Sequence, residues 1–224
     1  MKTKKLNWIE KIIKSENPGP TIAIIGGIHG NEPAGVKVLK LLEKIKPVSG
    51  TLYLIHGNPN AIAKGKRFTE ENLNRVFHNT NGKKYEHVRG REIRKILKKC
   101  DALLDIHGYR ETWGISKPLI ICEVGSIKTA KKLGVKTISY NWKKFHKGSS
   151  DHYMDKIGKT GICIECGPNE DKKSYKIGLE VAERFLAFFG IINKKHKLLK
   201  IKHHVVKLTK VPTDENNKLT IEVK

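Results

Sequence analysis

Thr21-Ile22-Ala23-Ile24-Ile25-Gly26-Gly27-Ile28-His29-Gly30-Asn31-Glu32 joins an apolar run to a glycine pair and then to two metal-ligating side chains. The run Thr21–Ile25 reads as a buried strand that Gly26-Gly27 ends, and a helix-like segment follows. His29 offers an imidazole nitrogen and Glu32 a carboxylate. Zinc accepts both, and catalytic zinc sites often use two histidines and one glutamate with a position left open for water. The rest of the chain has to supply a second histidine, a base and a substrate clamp.

Outward from this stretch, short apolar runs alternate with helical periodicity. Thr51–Ile55, Ala102–Ile106, Leu119–Cys122 and Gly161–Glu165 read as further strands. Ala34–Ile45, Glu86–Leu97 and Ser174–Phe189 carry apolar residues at helical spacing. Alternation of this kind predicts an α/β fold, a mixed, largely parallel sheet with helices on both faces. Ligands in such sheets gather at the carboxyl ends of strands, where His29, His107 and Glu165 all fall. Residues 58–81 are polar and read as a long ordered loop of functional interest. After Gly190 the pattern changes: residues 193–210 hold seven lysines and no acid, and Pro212–Asn217 reads as a turn. The expected organisation is a catalytic domain over 1–192 and a short basic β-hairpin-like tail over 193–224.

Hydrophobic residues at 38% of 224 suffice for one ordinary core, and no run approaches the roughly 18 apolar residues of a membrane span. Met1–Trp8 is basic with no apolar stretch behind it. Four cysteines (Cys100, Cys122, Cys163, Cys166) do not make a disulfide scaffold in a chain this size. The expected location is the cytoplasm. The net charge of +23 suits a small anionic substrate, but its lysines are spread along the whole chain and read mainly as solvated surface. An inactive nucleic-acid- or anion-binding protein is the rival from another class. It would have no use for a ligand trio, a base and an arginine loop kept intact together.

His107 is the candidate third ligand, because Ala102-Leu103-Leu104-Asp105-Ile106-His107 places it at a strand end. Asp105, two residues earlier, shares its strand face and is placed to orient it as an outer carboxylate. The reading is one zinc per chain. In Thr160-Gly161-Ile162-Cys163-Ile164-Glu165-Cys166-Gly167, a carboxylate closes an apolar strand, where burial is costly unless the group is paired or working. Beside an activated water, Glu165 fits a general base. Cys163 and Cys166 are spaced C-x-x-C, yet the alternation of Ile162 and Ile164 marks a strand rather than a redox helix, so they read as packing residues. Arg67, Asn74 and Arg75 lie in the 58–81 segment, and a guanidinium fork binds a carboxylate or a developing oxyanion better than a lysine does.

Four pieces in order, Gly27–Glu32, Asn58-Pro59 through Arg67 to Leu73–Phe77, Asp105–His107 and Gly161–Gly167, resemble the succinylglutamate desuccinylase/aspartoacylase family of the zinc carboxypeptidase-like superfamily. The resemblance implies zinc held by His29, Glu32 and His107, Arg67 as carbonyl polariser, Asn74 and Arg75 as binders of the substrate carboxylate, and Glu165 as base and acid. The expected activity is hydrolysis of the amide of an N-acyl amino acid, with a carboxypeptidase acting on short peptides as the alternative. Two departures bear on the substrate. Asn72 stands where the family usually has Asp, and no arginine occurs between Trp113 and Glu165, leaving Lys143, Lys144 or Lys147 as substitutes.

Overall fold

The computed structural model describes residues 9–79, 81–109, 117–194 and 201–209. Among the described residues, eight strands form one sheet in the order β1-β3-β2-β4-β7-β5-β6-β8. They are β1 Glu10–Lys14, β2 Thr21–Gly26, β3 Thr51–His56, β4 Ala102–Tyr109, β5 Leu119–Cys122, β6 Thr137–Tyr140, β7 Thr160–Pro168 and β8 His204–Lys207. Pairing is parallel except for β1 on β3 and β5 on β7. The helices are α1 Pro33–Leu42, α2 Pro59–Lys64, α3 Tyr85–Leu97, α4 Ile127–Ala130, α5 Ser150–Lys156 and α6 Ser174–Phe188.

Both faces of the sheet are covered, so its central strands are largely apolar, with Asp105, His107 and Glu165 as the exceptions. Ile22, Ile24, Leu104, Ile106, Ile162 and Ile164 pack on one face with Val38 and Leu39 of α1 and Val181 and Phe185 of α6. Ala23, Ile25 and Leu103 pack on the other with Ile93 and Leu97 of α3, Met154 of α5, and Leu73, Val76 and Phe77. Strand alternation therefore puts Asp105 and His107 on the second face, in line with Leu103. The same rule puts Cys163 and Glu165 on that face, and register pairs Asp105 with Cys163 and His107 with Glu165.

Where the chain departs from its sequence pattern, local physics explains it. Residues 58–81 are not one loop. Asn58 caps α2 by accepting the N–H of Ala61, Pro59 starts it, and Gly65 ends it in the left-handed region. A 3-10 turn then spans Leu73–Arg75. β1, β6 and α5 are too short or too polar to show a clear period. The described part of the tail contributes β8, which adds in parallel to β6 at the sheet edge. The turn expected at Pro212–Asn217 and the strand after it lie outside the described residues. Among the described residues no helix is long and apolar enough to cross a membrane.

Candidate metal centre and substrate loop

The turn after β2 is built for close approach. Gly27 sits at φ +71, and a Cβ on Gly30 would land inside the Ala61–Ile62 peptide of α2. The tight turn carries His29 and Glu32 over the end of β4. Glu32 precedes Pro33, the first residue of α1, yet its carboxylate caps no helix N–H. It turns instead to the two histidines: Oε1 lies 2.8 Å from His29 Nδ1 and Oε2 lies 2.8 Å from His107 Nδ1. All three side chains are buried, and their candidate ligand atoms lie within 4.8 Å of one another.

This donor set fits a zinc ion. Two imidazole nitrogens and a carboxylate are ligands zinc takes, with one position left open. Both Nδ1 atoms are buried and turn to the same carboxylate, so the three candidate ligand atoms converge on one point. Electrostatics agree. Burial would raise the Glu32 carboxyl and lower His107, yet Glu32 is held well below the usual carboxylate range by both histidines. His107 is held well above the usual imidazole range by Asp105 and Glu32. The same two carboxylates that favour positive charge on His107 would favour a metal cation there. His29 moves the other way, lowered by burial despite Glu32.

Each histidine is also met from behind. Asp105 Oδ2 lies 3.1 Å from His107 Nε2, and Asn72 Oδ1 lies 3.0 Å from His29 Nε2. Groups of this kind fix ring orientation in metal sites. Glu165 stands beside His107 on β7, partly buried, with its Oε2 out of solvent and without a hydrogen-bond partner among the described residues. Burial first, and repulsion from Glu32 and Asp105 next, push its carboxyl up to about 8 against the pull of His107 and Arg67.

The loop delivers the cations. Arg67 donates through Nη1 to Glu32 Oε1 at 2.9 Å. Arg75 is tied to the carbonyl of Asn74 at 2.7 Å and is lowered by burial and by the charge of Arg67. Two guanidiniums that raise each other's free energy would be relieved by an anion between them. Asn74 Oδ1 accepts the N–H of Ser150. His29, Glu32, His107, Asp105, Glu165 and Arg67 are thus brought together, and Asn74 and Arg75 adjoin them through the loop. Lys143 is drawn elsewhere, with Nζ 3.3 Å from Asp155 and 3.6 Å from Glu123, and Lys144 and Lys147 are exposed.

Three residues escaped the sequence reading. Glu86, on the first turn of α3, accepts from Asn58 Nδ2, from Thr69 N and Oγ1, and from the backbone N–H groups of Glu70 and Glu71. His146 is lowered to about 4 by burial and then by Arg75 and Arg67, so a neutral imidazole borders the arginine pair. Ser150 bonds both Asn74 and Asp105. Only the Ser149-Ser150 pair, typical of helix starts, offered a signal. All four cysteines are buried and free, and Cys163 and Cys166 face opposite sides of β7.

An α/β sheet with a buried His-Glu-His cluster at the carboxyl ends of its central strands defines a class of candidate metal-dependent enzymes. The family model for the succinylglutamate desuccinylase/aspartoacylase catalytic domain matches residues 18–188, and the chain belongs to that family. A probable aspartoacylase from Nostoc sp. is 36% identical over 110 residues, covering 42% of this chain and 37% of that protein. A succinylglutamate desuccinylase from Pseudomonas putida is 44% identical over 70 residues, covering 29% of this chain and 21% of its own. The product-bound ectoine utilization protein EutE (DoeB) from Ruegeria pomeroyi superposes with a TM-score of 0.75 at 20% identity, over 88% of this chain and 64% of that one. The matched stretches thus span well under half of the two sequence relatives, and the chain covers just under two thirds of the structural one.

Proposed function

We propose that this chain is a zinc-dependent amide hydrolase that removes the acyl group from an N-acyl amino acid or a similar small carboxylated amide. The observation that carries the reading is the buried His29–Glu32–His107 cluster, with the unpartnered Glu165 Oε2 and the Arg67 guanidinium beside it. Family membership and the deacylase names of its relatives support the same chemistry.

His29, Glu32 and His107 would hold the ion, which when bound supplies Lewis acidity and lowers the pKa of water. Glu165 takes the proton of the attacking water at its carboxylate and returns it to the leaving nitrogen, so one group serves as base and then acid. Arg67 donates to the oxygen of the tetrahedral intermediate, where preorganised donors lower the barrier most. Arg75 and Asn74 hold the substrate carboxylate and set the scissile carbon over Glu165. Active chemistry of this kind is taken to occur in the cytoplasm, on a small anionic substrate.

Metal analysis tests the assignment first. The purified chain is expected to carry near one zinc per chain, and His29→Ala and His107→Ala to lose it. Unchanged metal content in both variants would sink the reading. A panel of N-acyl amino acids and short peptides assayed side by side then separates deacylase from carboxypeptidase.

A further inference from the structure

Ser150 opens α5 and is fully buried. It bonds in two directions. Its N–H donates to Asn74 Oδ1 at 3.1 Å, and its Oγ donates to Asp105 Oδ2 at 2.5 Å. That same Asp105 oxygen lies 3.1 Å from His107 Nε2. In the other direction, the Asn74 N–H donates to Asn72 Oδ1 at 2.9 Å, the atom that faces His29 Nε2. Both histidines turn their Nδ1 atoms to Glu32. The contacts close into a ring running Glu32, His29, Asn72, Asn74, Ser150, Asp105, His107 and back to Glu32.

We propose that Ser150 is a positioning residue that closes this ring, fixing His107 through its hydroxyl and the substrate-binding Asn74 through its backbone. The inference rests on the zinc hydrolase reading above. Asp105 is a fully buried carboxylate whose Oδ1 has no hydrogen-bond partner among the described residues. A buried carboxylate is costly unless it is hydrogen-bonded, so the hydroxyl both stabilises it and selects the oxygen that faces His107. Without the hydroxyl, Asp105 loses the bond that sets its rotamer, and His107 loses the fixed partner behind it. The N–H to Asn74 is a backbone group and survives substitution. Changing the side chain therefore separates the metal arm of the ring from the substrate arm.

The test is zinc affinity, measured by chelator competition on wild type, Ser150→Ala, Asp105→Asn and the double variant. Loss of an outer partner of a metal-ligating histidine costs about 10- to 100-fold in metal affinity, and that loss is expected for Ser150→Ala. In the Asp105→Asn background the same change should cost under about threefold, because the two residues act as one unit. At saturating zinc, kcat of Ser150→Ala should fall about tenfold with KM held within about threefold, since a slightly misplaced group slows the chemistry more than binding. Ser150→Thr, which keeps the hydroxyl, should restore zinc affinity to near wild type. If Ser150→Ala does not fold, Ser150→Cys keeps the bulk with only a weak donor and reads the same affinity. A purely structural serine would lower Tm and leave zinc affinity within about twofold, and that result overturns the inference. A wild-type chain that binds no zinc overturns the hydrolase reading and this inference with it. Equal binding by wild type and variant overturns the Ser150 role alone.

Discussion

The amide oxygen of Asn72 lies 3.0 Å from the Nε2 of His29 and also accepts the N–H of Asn74 at 2.9 Å. An aspartate would accept at the same place and add a negative charge behind the ring. The neutral amide keeps the orientation and forgoes the charge, which accords with His29 being lowered by burial while His107, backed by Asp105, is raised.

Asn72→Asp is therefore expected to tighten zinc about 10-fold, because a carboxylate partner makes a ligating imidazole more basic. Chelator competition measures it. Unchanged or weaker binding would mean that the site is tuned for the uncharged acceptor.

Glu86 holds the arginine loop rather than the substrate. Its carboxylate collects Asn58, Thr69, Glu70 and Glu71, so Glu86→Ala leaves one buried and several part-buried donors unpaired. A loss of about 1–3 kcal/mol in unfolding free energy is expected, with KM rising as Arg67 and Arg75 lose their fixed spacing. Denaturant unfolding and steady-state kinetics together check it.

The same carboxylate predicts an acid limit. Burial would raise it, but the Thr69 hydroxyl and N–H and the Asn58 amide lower it below the usual 4.5. A depressed folded-state value contributes stability that is present above about pH 4.5 and lost as pH falls through the folded value. Glu86→Gln should flatten that part of the stability-versus-pH curve, read by thermal melts between pH 3 and pH 6. A wild-type curve already flat there would contradict the assignment.

Glu165→Gln keeps the shape and removes the base. Hydrolysis should fall by about 10²- to 10⁴-fold with metal content unchanged. A variant that stays active would rule Glu165 out as the proton carrier.

Lys143 is the nearest test of what binds the far end of the substrate. Its Nζ is engaged by Asp155 and Glu123, so Lys143→Ala should change KM by under about twofold across the acyl panel. A larger rise confined to dicarboxylic substrates would show that this lysine leaves its acidic partners to meet them.

Much of the architecture could be read along the chain. The five apolar runs are β2, β3, β4, β5 and β7, and the three periodic segments are α1, α3 and α6, each within a few residues of its expected bounds. Their shared cause is burial on both sheet faces, which leaves near-continuous apolar strands and amphipathic helices. β1 and β6 escaped because a polar edge strand and a four-residue strand leave no clear period, β8 falls within the tail expected to be β, and α2 escaped because caps rather than periodicity define it.

Reading along the chain identifies which side chains could act: His29 and Glu32 at one strand end, Asp105 and His107 at another, Glu165 at a third, and the arginines between them. Spacing within one segment is local, and alternation alone puts Asp105 and His107 on one face. It takes the folded chain to show that Asn72 backs His29, that Glu86 gathers the loop, and that Ser150 reaches both Asn74 and Asp105. Those contacts join segments as far as 76 residues apart, brought together by parallel strand pairing and helix docking. No periodicity of the chain encodes which side chains then meet.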